Sequence, residues 1–149
     1  MKRSVIIAAG LIAGIAAAIA HAETKEEKAI EYRQGVMTAI GWNFGPIGGM
    51  MKGDLPFDKN VVARNAEFIA VLSKMAPDGF IPGSDTGKTK AKPEVFTEMA
   101  KFKGGMEKFQ TEATKLAEVA KTGNMDQIKP QFGEVAKTCK ACHDNFRKK

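Results

Sequence analysis

A chain of 149 residues, 44% hydrophobic and with a formal net charge of +6, has the length for one domain around a single core. Its lysines are spread along the chain without interleaved aromatic residues, which argues against a nucleic-acid surface. The denser basic group at the end (Lys137, Lys140, Arg147, Lys148, Lys149) reads as a solvated helix face and tail rather than a docking patch.

Met1-Lys2-Arg3, an apolar stretch from Val5 to Ile19 and then Ala20-His21-Ala22 form the three parts of a secretory signal peptide. The apolar run is about 15 residues, short of the roughly 20 that span a bilayer, so a membrane anchor is the weaker reading. Cleavage after Ala22 gives a mature chain from Glu23 to Lys149 with no membrane attachment, exported to the periplasm. It also removes His21, leaving His143 as the one histidine, beside two cysteines three positions apart. A closed zinc site needs about four Cys or His ligands, and a disulfide framework needs cysteines distant in sequence.

Apolar spacings of three and four recur through the mature chain, and no alternating run is long enough for a strand, so the fold class is all-α. The first helix carries the stripe Ile30, Met37, Ile40, Phe44, Ile47 and Met51, with Arg33 at its one charged position. Gly45-Pro46 lies inside it and predicts a kink. After the break at Lys52–Pro56, Asp58 caps a second helix that buries Val62, Ile69, Leu72 and Met75, has Phe68 at its edge and ends before Pro77. Residues 77–92 form the long loop.

Pro93 fits the first turn of a third helix with the stripe Phe96, Met99, Lys103, Met106, Phe109, Ala113, Leu116 and Ala120. Asn124 or Asp126 caps a fourth, along which Ile128, Phe132, Val135, Cys139, Cys142 and Phe146 repeat. Four amphipathic helices with one long link predict an antiparallel up-down-up-down bundle, residues 23–149 forming one domain.

Cys139-Lys140-Ala141-Cys142-His143 is the motif with specific chemistry. Positions i, i+3 and i+4 share a helix face, so two thiols can meet the vinyl groups on one porphyrin edge while the imidazole faces the iron. One covalently attached haem c follows, with His143 as iron ligand. A thioredoxin-like redox pair would open a helix after a strand, whereas this pair lies late in a helix. Two cysteines serving as small core residues would leave the adjacent histidine unexplained.

A charge on a buried seam is costly unless paired, and Arg33 sits one turn before Met37. A haem propionate is its natural partner, the alternative being a side chain that snorkels to the bundle end. Met37 is the side chain best placed to face the iron on the open side. Arg147, one turn after His143, either bonds near the imidazole or a propionate or is a solvated tail residue.

Tyr32-Arg33-Gln34-Gly35-Val36-Met37, Lys52-Gly53 with Pro56-Phe57-Asp58, Phe132-Gly133-Glu134-Val135 and the Cys-x-x-Cys-His near the C-terminus together resemble the cytochrome c′ family across nearly the whole mature chain. That family is itself a familiar example of such bundles. The resemblance implies a periplasmic homodimer whose five-coordinate iron binds nitric oxide and carbon monoxide. An apolar first-helix residue, here Met37, shields the open face. It also implies that Arg33 is the propionate-side arginine and Arg147 the basic residue beside the proximal histidine. Phe57 and Phe146 stand where many relatives have Tyr.

Low-spin relatives with the same fold use a methionine at the position of Met37 as sixth ligand and transfer electrons. That alternative would pair the lysine-rich end with an acidic redox partner. A peroxidase-like enzyme would need a distal acid or base, for which Arg33 is the one candidate, so no enzymatic activity is expected. Val36, Trp42 and Met50, beside the seam, are candidates for the dimer interface.

Overall fold

The computed structural model describes residues 22–149. The signal segment expected over residues 1–22 therefore lies, apart from Ala22, outside the described residues. No helix among the described residues is long and apolar enough to cross a membrane.

Helix α1 spans Lys25–Lys52. Thr24 and Glu27 form a capping box at its start, each side chain accepting from the other's backbone N–H. The helix runs through Pro46 without a break and stops at Gly53, whose φ of 85° and N–H donated to Gly49 and Met50 make a left-handed cap. Asp58 caps α2 (Lys59–Met75) as expected, accepting from Asn60 and Val61. A 3₁₀ turn, Ala76–Gly79, follows and leads into the long loop.

The expected third helix is two pieces, a single turn α3 (Glu94–Thr97) and the long α4 (Met99–Ala120). Glu98 leaves helical geometry between them at φ −112°, ψ 41°. Next to that break the buried positions are Val95 and Phe102 instead of Phe96 and Lys103, and Lys103 is exposed; from Met106 to Ala120 the expected stripe is the buried one. Helix α5 (Met125–Phe146) opens on Asn124, which accepts from the Asp126 N–H.

The four long helices form an all-α four-helix bundle. Helix α4 packs along both α2 and α5, and α1 along α2. Ile47, Val62, Ile69, Leu116, Ile128 and Val135 are fully buried at the centre. Val36 and Met50, expected at an exposed interface, are buried in the core instead, whereas Met75, expected in the core, is exposed. Trp42 is 81% exposed.

Helices α1 and α5 touch over only a short stretch. There Phe44 stacks on Phe132 with ring centroids 4.1 Å apart, and a side chain at Gly48 would press on the same Phe132 ring. Because the two helices are antiparallel, Met37 and Cys139 each lie two turns, about 10 Å, beyond that stack toward the same end. At that end the helices enclose space instead of each other.

Candidate functional site

The space is a cavity of about 540 Å³, within the range of ~300–1,000 Å³ of pockets that enclose cofactors. Met37 and Arg33 line it from α1, Cys142 and His143 from α5, and Val95 and Phe102 from α3 and α4. Phe80 closes one wall in an aromatic chain, 4.7 Å from Phe102, which in turn meets Phe146 edge-on at 5.4 Å. The long loop adds Thr89, Lys90 and Ala91.

Cys139 and Cys142 are free thiols, half-buried and packed against the core. Burial pushes both up from their ordinary pKa; Thr138 pulls Cys139 part of the way back, and Cys139 adds to the rise at Cys142. Such thiols stay protonated at neutral pH, the opposite of a reactive redox pair. His143 keeps solvent exposure while lining the cavity. Burial lowers its pKa, Arg147 lowers it further and Asp144 opposes both, a balance that favours the neutral imidazole, the form that can ligate a metal.

Arg33 is 3% exposed, and its guanidinium is committed to the loop. Nη1 donates to the Gly79 carbonyl at 2.8 Å and to Ser84 Oγ at 2.7 Å. Nη2 donates to the Ser84 carbonyl at 2.5 Å and to Thr89 Oγ1 at 2.6 Å. It lies over the Phe80 ring, 4.8 Å from the centroid. Burial lowers its pKa and Asp85 opposes that. Every direct acceptor is neutral, so the side chain brings positive charge to this wall. A Cβ at Gly79 would come within 2.6 Å of Arg33 Cβ and 2.8 Å of the Ala29 carbonyl, so glycine is required there by close approach.

Gln34 donates to the Lys88 carbonyl at 2.8 Å, and Arg147 lines the cavity beside His143. The cavity thus brings Arg33, Met37, Cys142, His143 and Arg147 together, with Cys139 one turn away on α5. Sequence reasoning did not single out Phe80, Thr89, Lys90 or Ala91 as site residues, because a loop of mixed composition carries no periodicity to place its side chains.

The residues fit a large, flat, covalently held group better than a bare ion. Among the described residues no three His, Cys, Asp or Glu side chains converge to hold a metal. Instead two helices part around a largely apolar chamber that has the Cys142 thiol and an imidazole on one side, Cys139 a turn away, and a thioether on the other. Fold and site together define a haem-binding four-helix bundle of the c type.

The profile of the cytochrome c′ family matches residues 28–147. Cytochrome c′ of Rubrivivax gelatinosus is 43% identical over 126 residues, which cover 84% of this chain and 98% of its own. The structure of cytochrome c′ from Shewanella frigidimarina superposes with a TM-score of 0.83 at 41% identity, over 86% of this chain and all of the other. A nitric oxide complex of a variant cytochrome c′ from Alcaligenes xylosoxidans matches with a TM-score of 0.79 at 36% identity, over 86% of this chain and 99% of that one. The chain belongs to the cytochrome c′ family, whose members carry one covalently attached haem c.

Proposed function

We propose that this protein is a periplasmic gas-binding haem protein in which Cys139 and Cys142 hold the haem, His143 is the single protein ligand to iron, and Met37 shields the opposite face. When bound, the haem supplies an iron coordination position for small diatomic gases, nitric oxide and carbon monoxide. The observation that carries the reading is that His143 and Met37 line one chamber from α5 and α1 where those helices separate. Met37, Val95 and Phe102 offer no acid or base for breaking an oxygen–oxygen bond, and Arg33, the one candidate, has its η nitrogens bonded to the loop, which supports binding rather than enzymatic turnover. Arg147 places positive charge at the chamber's edge, where a propionate carboxylate could meet it, and the buried Arg33 adds charge from the wall while its η nitrogens stay bonded to the loop.

In this reading the haem of the wild-type protein stays with the chain on denaturation, and the ferrous spectrum is high-spin and changes on adding carbon monoxide. With both Cys139→Ser and Cys142→Ser the haem is extractable by acid and solvent. A low-spin ferrous spectrum in the wild type would count for the electron-transfer alternative with Met37 as sixth ligand.

The homodimer is supported by an exposed apolar stripe, Phe68, Val71 and Met75 on α2, beside Tyr32, whose hydroxyl donates to the Met75 carbonyl at 3.4 Å. Glutamate at both Phe68 and Val71 is expected to halve the mass measured by sedimentation in the micromolar range. An unchanged mass would move the interface elsewhere.

A further inference from the structure

We propose that Lys92, in the long loop, is a positioning residue for His143: it ties off the last turn of α5 and so fixes the histidine that the preceding section reads as the iron ligand. An α-helix ends with four carbonyls that have no partner within the helix. In α5 these belong to His143, Asp144, Asn145 and Phe146. The Arg147 N–H donates to the His143 carbonyl at 3.1 Å. Lys92 takes the other three. Its ammonium donates to Asp144 at 3.1 Å and Asn145 at 3.2 Å, and its backbone N–H donates to Phe146 at 2.9 Å.

The attachment extends beyond one side chain. Lys148 donates its N–H to the Lys90 carbonyl at 2.8 Å, and Ala91 forms an antiparallel bridge with Arg147. The loop therefore runs as a strap from the buried Arg33 clamp on α1 to the carboxyl end of α5, with Thr89, Lys90 and Ala91 walling the chamber between. A cation at this end of α5 is favoured by the helix dipole as well as by the hydrogen bonds. Final turns fray readily, and His143 sits in this one with its imidazole toward the chamber. Holding three of its four carbonyls fixes the backbone from which the imidazole projects.

The test uses holoprotein and the variants Lys92→Met and Lys92→Arg. In Lys92→Met, amide exchange at Arg147 and Lys148, measured by NMR, is expected to rise about tenfold, and the iron–histidine stretching band in the ferrous resonance Raman spectrum to shift and broaden. Lys92→Arg, which can still reach the carbonyls, should restore the band. A merely structural lysine would lower the melting temperature and leave the band in place, and that result would overturn the proposal. The exchange arm reads the clamp whatever ligates the iron. Rapid exchange in Lys92→Met with no iron–histidine band even in the wild type would instead show that the histidine reading is wrong, and the positioning role would fall with it.

Discussion

Shortening Met37 to alanine is expected to speed carbon monoxide association with the ferrous protein by about tenfold or more, while the resting spectrum stays high-spin. Met37 is half-buried, packs against the core and lines the chamber from the helix opposite His143. If Met37 shields the iron as proposed, an incoming gas has to displace a side chain that is flexible and apolar, and removing it lowers the barrier by the cost of that displacement; about 1.4 kcal/mol is a factor of ten. Flash photolysis of the carbon monoxide complex gives the rate, and the absorption spectrum gives the spin state. A change from low to high spin on substitution would make Met37 a ligand. An unaltered rate with an unaltered spectrum would remove it from the gas path.

The largest loss of stability is expected from Arg33→Ala, at roughly 3–5 kcal/mol, because it strips a charge-assisted donor from four acceptors that are buried or partly buried. For a chain of this size that corresponds to a fall of roughly 10 °C or more in melting temperature, measured by circular dichroism on the holoprotein. Lysine at this position should recover only part of the loss. Its single ammonium has three donors and no planar fork to reach Gly79, Ser84 and Thr89 together. A melting point within two or three degrees (about the cost of a surface change) would show that the clamp is not what holds the loop.

How far the sequence spoke for this structure varied from residue to residue. The caps at Asp58 and Asn124, the stop before Pro77 and the stripe of α5 depend on neighbours within one or two turns, and they were legible. The face of α1 was legible only in part. Ile40, Ile47 and Met51 are core, as expected, but Met37 and Phe44 are half-buried, and Val36 and Met50 take the core positions. Periodicity reports that a face is apolar without saying whether another helix or a cofactor covers it. Met37 borders the chamber, so its half-burial falls where the apolar face of α1 meets the site and not another helix.

Lys103 was misread for a different reason: around the non-helical residue Glu98 the first turn of α4 buries Phe102 instead, while Met106, Phe109, Ala113, Leu116 and Ala120 are buried as expected. Arg33 was correctly found to be buried and in need of partners, but its acceptors lie 46 to 56 residues away and two of them are backbone carbonyls. No residue type announces such an acceptor. Lys92 was invisible for the same reason, since its contacts are with backbone carbonyls 52 and 53 positions on.

Gly79 shows what this architecture implies for how the chain can vary. Its backbone does not adopt a left-handed conformation, so nothing in its own geometry demands glycine. The demand comes from α1, whose Ala29 carbonyl and Arg33 side chain leave no room for a methyl group. A lineage drifting through substitutions could therefore change the exposed Pro82, Thr86 and Lys88 freely, yet even alanine at Gly79 would lever the start of the loop off α1. The most variable-looking stretch of the molecule thus begins at one of its least replaceable positions.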